Sequence, residues 1–131
     1  MKYYFGIILM SVVILFTISC SKENKLEKNL TGTWDVINID SVYVDNQWQF
    51  TFEECGKKET CNGSYFYELH SAYSDTSFTR TFTWELNNNM LTTTLSDNSD
   101  VHYTILEWED DYMKWNLLPY PDDILELVRI K

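Results

Sequence analysis

Catalytic chemistry has little to work with in this chain. It carries two histidines, His70 and His102, and has no Gly-x-Ser-x-Gly, His-Glu-x-x-His or phosphate-cradling glycine loop on which a mechanism could be built. Both histidines read as surface or cross-strand residues, and the chain reads as a non-enzyme with no cofactor. The acidic groups Glu109-Asp110-Asp111 and Asp122-Asp123 offer oxygens of the kind calcium prefers, but solvated turns account for them, so no metal is assigned. Basic residues are also scarce, with 10 Lys and Arg against 20 Asp and Glu and a formal charge of −10. Lys57-Lys58 is the lone basic cluster. A chain this acidic is repelled by phosphates and gains nothing from counterion release, which excludes nucleic acid as a partner. The acid excess reads as solubility, with a cationic partner as the other reading.

The apolar run at the start, Tyr3 to Ile18, covers sixteen residues. That is short of the roughly 20 needed to cross a bilayer, so the choice lies between a short anchor helix and a cleaved leader. The flanks favour the leader: Met1 and Lys2 form a basic start, Ser19 is a small residue suited to cleavage, and Cys20 opens the polar stretch SCSKENK. This arrangement resembles the processing site of a bacterial lipoprotein, although Thr17 stands where leucine is usual. The resemblance implies removal of residues 1–19, acylation of Cys20 and a membrane partner. Each buried methylene contributes roughly 0.8 kcal/mol, so one chain holds weakly and several hold stably.

Cleavage would leave 112 of the 131 residues, the size of one domain. It would remove one base and no acid, taking the formal charge from −10 to −11. Residues 20–29 read as the lipidated cysteine and a charged tether, either flexible or one helical turn. Lys22-Glu23 is similar to the short signals that send some Bacteroidetes lipoproteins to the cell surface, and reads equally as an ordinary spacer. The expected location is the outer membrane, at the periplasmic face or the surface.

From Leu30 onward the chain reads as all-β, with short runs of Thr, Val, Tyr, Phe and Trp split by Asn, Asp, Ser and Gly. Eight strands are predicted, at 32–40, 42–53, 65–70, 77–86, 90–95, 101–108, 112–118 and 124–130. Asn87-Asn88-Asn89, Asp97-Asn98-Ser99-Asp100 and Glu109-Asp110-Asp111 carry hairpin turn chemistry. In FTRTFTWEL the alternation puts Phe78, Phe82, Trp84 and Leu86 on one face and Thr79, Thr81, Thr83 and Glu85 on the other. Val101, Tyr103 and Ile105 share a face in the same way, as do Met113, Trp115 and Leu117. Successive hairpins make an up-and-down antiparallel meander. Closing it into a small barrel over 30–131 removes exposed edges, and an open sandwich is the alternative.

LTGTW at residues 30–34 resembles the Gly-x-Trp entry of the lipocalin first strand. Together with WQF at 48–50, FTWEL at 82–86, NNNML at 87–91, YTI at 103–105 and YMKW at 112–115, the chain is similar to small lipocalin-like lipoproteins of the Bacteroidetes. The resemblance implies that Gly32 and Trp34 belong to the closed end of the barrel and that Arg129 lies across Trp34, a structural pair. It also implies a small hydrophobic ligand in the mouth, walled by Trp48, Phe50, Phe82, Trp84, Tyr103 and Trp115. Arg80 shares the apolar face of its strand. It would either meet an acidic head group there or snorkel at the rim.

The competing reading is a monomeric interaction module with a filled interior, presenting rim loops to a protein or glycan. A barrel of about eight strands has room only for its own side chains or one small ligand, and five tryptophans are available to fill it. Cys55 and Cys61 flank GKKET, and in an oxidising compartment they are expected to pair. Metal binding is the competitor, on poor spacing. Asp40-Ser41-Val42 matches a three-residue O-glycosylation pattern at Ser41, a pattern that also arises by chance.

Overall fold

The structure, a computed structural model, describes residues 25–55 and 60–131. The leader, Cys20, Lys22-Glu23 and Lys57-Lys58 lie outside the described residues. A short helix, α1, covers 25–30. The strands follow as β1 (Gly32–Ile39), β2 (Val42–Tyr43), β3 (Gln47–Phe52), β4 (Cys61–His70), β5 (Asp75–Asn87), β6 (Met90–Leu95), β7 (Asp100–Trp108), β8 (Tyr112–Leu117) and β9 (Ile124–Arg129).

Every pairing is antiparallel, and β1 pairs with both β3 and β9. The meander thus closes into an eight-stranded barrel, with β2 as a two-residue ribbon on β1. Closure, not a sandwich, is the outcome, and it leaves each of the eight long strands with a partner on both sides. The turns use the expected residues. Asp40 and Ser41 both take positive φ, 52° and 64°, between the paired Ile39 and Val42, which suits a tight two-residue hairpin. Asn88 and Asn98 take φ of 57° and 65° in the β5–β6 and β6–β7 turns, where asparagine tolerates the left-handed region.

Two strand boundaries differ by more than two residues from those the sequence suggests. The run 42–53 is broken at 44–46, because β2 pairs with β1 near one rim while β3 starts afresh at Gln47. In the other direction, β4 begins at Cys61 and not Tyr65, since Gly63 and Ser64 pair with both β3 and β5. The segment read as a tether also differs in part: α1 puts Leu26 and Leu30 into the core, one turn apart on the same side of the helix. Its hydrophobic residues close the barrel end marked by Gly32 and the end of β9.

The interior is filled from that end upward. Trp34, Leu91, Met113, Trp115 and Leu127 are fully buried. Phe52 packs at 5.5 Å from both Phe82 and Trp84, and Phe50 at 5.5 Å from Trp115. Ring centroids at such separations, tilted or edge-on, are the favoured aromatic geometry. The opposite end, ringed by the loops 40–46, 71–74, 96–99 and 118–123, is the mouth.

Candidate functional site

The period-two alternation of the strands decides what faces the barrel axis, and distance from the floor decides whether it packs or lines space. In β3, Phe52 pairs with Gly32 and Phe50 with Trp34, so Trp48 stands one step further toward the mouth. There it meets Tyr67 of β4, and Tyr67 in turn meets Phe78 of β5. Above the solid layers these side chains enclose an open cavity of about 260 Å³. Its walls are Trp48, Phe50, Tyr65, Tyr67 and Phe78 on one side, and Thr93, Leu95, Val101 and Tyr103 on the other.

Of the seven residues assigned to ligand contact from sequence, Trp48, Phe50 and Tyr103 line this space. Phe82, Trp84 and Trp115 do not. They are buried among Phe50, Phe52 and Tyr103 below it, with centroid separations of 5.4–6.5 Å, and belong to the packed core. Arg80 is exposed at the rim, its guanidinium carbon 5.7 Å from the centroid of the Phe78 ring. Phe78 shares the face of Phe82 but is 42% exposed. The reason is that β6 pairs with β5 only from Phe82 onward, so the outer part of the β4–β5 hairpin overhangs the mouth.

Tyr65, Tyr67, Phe78, Thr93, Leu95 and Val101 line the cavity without having been assigned to it from the sequence. Tyr65 and Tyr67 follow the same alternation as Phe78 and were detectable from it. Locating the cavity needed the vertical position of each residue relative to Trp34, which depends on register.

The cavity is apolar with a few hydroxyls. Burial, and secondarily the nearby Tyr65 phenol, pushes the Tyr103 hydroxyl well above the ordinary tyrosine range, so it is a neutral group. Among the described residues neither Tyr103 nor Thr93 uses its hydroxyl in a hydrogen bond, and neither hydroxyl oxygen is sealed off. Both residues are nearly fully buried and line the cavity, so these hydroxyls open into it, available to whatever enters.

At the floor, the Trp34 indole donates to Leu30 O at 2.8 Å and lies 4.3 Å beneath the guanidinium of Arg129. Arg129 Nε donates to Asp110 O and Nη1 to Thr31 O, each at 2.7 Å, and Nη2 donates to Asn29 O. One planar cation thus joins α1, the entry to β1 and the β7–β8 turn to the last strand. Gly32 sits directly against it with φ of +122°, and a Cβ there would come within 2.7 Å of Arg129 Nη1. Both backbone conformation and space demand glycine.

A family model for the lipocalin-like domain matches residues 30–115. This chain belongs to the lipocalin-like family. No curated protein matches it. Lipocalin-like domains are in general non-enzymatic binding proteins, and the closed eight-stranded barrel with a mouth-side cavity gives this lipocalin-like chain the capacity to bind a small ligand. Cys55 and Cys61 form a disulfide at a Cα separation of 4.7 Å, where the β3–β4 connection leaves the floor of the lipocalin-like barrel.

Proposed function

We propose that this lipocalin-like protein is a lipid-anchored, monomeric carrier or sensor of the cell envelope that holds one small hydrophobic ligand by its apolar body in the mouth-side cavity and performs no chemistry on it. The observation that carries the reading is the cavity itself. An otherwise solid barrel leaves about 260 Å³ open where Trp48, Phe50, Tyr65 and Tyr103 meet. That volume is near the low end of ligand pockets, roughly 300 Å³, so the molecule is small. Dry aromatic walls supply affinity by burial, and the Tyr103 and Thr93 hydroxyls orient the guest.

Anchoring rests on the basic, apolar, small-residue-then-cysteine pattern that ends at Cys20. Four residues lie between Cys20 and the start of the described helix at residue 25, so the five chain steps reach at most about 18 Å. Acylation of Cys20 therefore holds the floor near an outer-membrane leaflet and turns the mouth away from it. Ser41, at the exposed tip of the β1–β2 hairpin, is accessible for O-glycosylation.

A second reading is favoured by one observation: Tyr43, Tyr73 and Tyr120 stand exposed on three separate mouth loops. Tyrosine is a usual anchor of protein and glycan interfaces, and on this reading the rim, not the cavity, is the working surface. Native mass spectrometry of the gently purified full-length protein separates the two. A small-molecule adduct that vanishes on denaturation supports the carrier. A bare polypeptide that also fails to take up an apolar fluorescent probe refutes it. Cys20→Ala is expected to move the protein out of the membrane fraction, and unchanged fractionation would refute the anchor. Intact mass checks Ser41.

A further inference from the structure

The barrel has two arginines at inward-facing strand positions, and they are used in opposite ways. Arg129 at the floor spends its guanidinium on three backbone carbonyls and the Trp34 ring. Arg80 lies toward the mouth, on β5 between Phe78 and Phe82 and directly across from Tyr65 of β4. Its guanidinium leans over Phe78, a ring of the cavity wall. Among the described residues it has no hydrogen-bond acceptor and no ion pair.

The acid that most nearly competes for it is Asp97. That carboxylate is held below the usual range chiefly by Ser99, which donates from Oγ at 2.5 Å and from its backbone N–H at 2.9 Å, and Arg80 contributes least. Asp97 is thus committed to its own turn. The four mouth loops contain no lysine or arginine. Arg80 is an exposed positive charge against the Phe78 wall of an aromatic cavity, with its donors unspent.

We infer that the guest is a small monoanionic organic acid, its apolar body between Trp48, Phe50, Tyr65 and Phe78 and its carboxylate on Arg80. The guanidinium fork meets a carboxylate with two parallel charge-assisted bonds, which a neutral polar group does not match. A cavity of about 150 Å³ takes one benzene ring. The 260 Å³ available here therefore admits a body of up to roughly two fused rings and excludes a long acyl chain. The formal charge of −10 slows the approach of an anion, but the bound head group responds to the local charge within a few ångströms.

This inference rests on the cavity reading above, and the test separates the two. The full-length protein is titrated calorimetrically with naphthalene-2-carboxylate and with its neutral carboxamide. The acid is expected to bind about tenfold tighter or more, as one charge-assisted contact warrants. Arg80→Gln should abolish that preference by weakening the acid far more than the amide, with the melting temperature showing that the fold is kept, and Arg80→Lys should retain part of it. Equal affinities for acid and amide, or a preference that survives Arg80→Gln, would overturn the role of Arg80 and leave the cavity reading intact. Absence of binding by either probe at millimolar concentration would overturn both.

Discussion

Replacing Arg129 with methionine removes one side chain and disconnects four segments. The guanidinium satisfies the carbonyls of Asn29, Thr31 and Asp110 and covers the Trp34 ring at 4.3 Å. The Asp110 carbonyl is at an exposed position and recovers a water on mutation, so its loss costs about 0.5 kcal/mol. The Asn29 and Thr31 carbonyls are half-buried, and leaving each unpaired costs about 1–1.5 kcal/mol. The cation–π contact, partly desolvated, contributes about 1 kcal/mol. Methionine recovers some packing against the indole, so the net expectation for Arg129→Met is about 3–4 kcal/mol. Arg129→Lys keeps a charge above the ring and reaches one carbonyl, and is expected to cost about half as much.

The assay is urea unfolding followed by tryptophan fluorescence, with the slope compared between variants to confirm a common transition. Hydrogen exchange adds a local readout: protection in 25–30 should fall more than in β5 or β6, because α1 is held to the barrel through Arg129. A loss under about 1 kcal/mol for Arg129→Met, or uniform loss of protection, would refute the view that this one cation ties the floor together.

Gly63→Ala should destabilise by about 1–3 kcal/mol, since the new methyl would strike the Phe82 ring and the Thr51 carbonyl, the latter at 2.7 Å; an unchanged thermal midpoint would contradict the close packing of β4 against that ring. Cys55→Ser paired with Cys61→Ser is expected to cost about 2 kcal/mol, the entropy of so short a loop, and thiol titration of the unreduced protein should find neither sulfur reactive. His70 is expected to titrate above 6.5 because Asp75 accepts its hydrogen bond at 3.1 Å and Glu68 adds attraction. Its folded pKa being raised, the stability it contributes is complete below about pH 6.5 and is lost as pH rises through the folded value. Proton NMR of the imidazole in the parent and in Asp75→Asn checks this, with the variant titrating lower.

Much of the barrel was legible along the chain because antiparallel hairpins are local. The turn residues at 87–89 and 97–100 and the alternation in 78–86 act over a few residues, and they mark β5, β6 and β7 without reference to distant contacts. Leu26 and Leu30 were harder to place. In a charged ten-residue stretch two leucines read as part of a spacer, and only the presence of a hollow barrel end makes their burial favourable. Phe82, Trp84 and Trp115, placed on the cavity face by the sequence, stand in the packed layers below it for a related reason. Alternation tells which side of the sheet a residue faces, but says nothing about how far it stands from the floor.

By itself the amino-acid sequence determined the strand periodicity, the hairpin order, the Gly32–Trp34 entry and the partner residues of the disulfide, all properties of short spacings or residue types. Register around the closed barrel, the docking of α1, the division between packed and open layers and the isolation of Arg80 were decided only by the tertiary structure. Each depends on which residues from distant strands arrive at the same height along the barrel axis, and that height is set jointly by eight pairings and their bulges, not by any one segment.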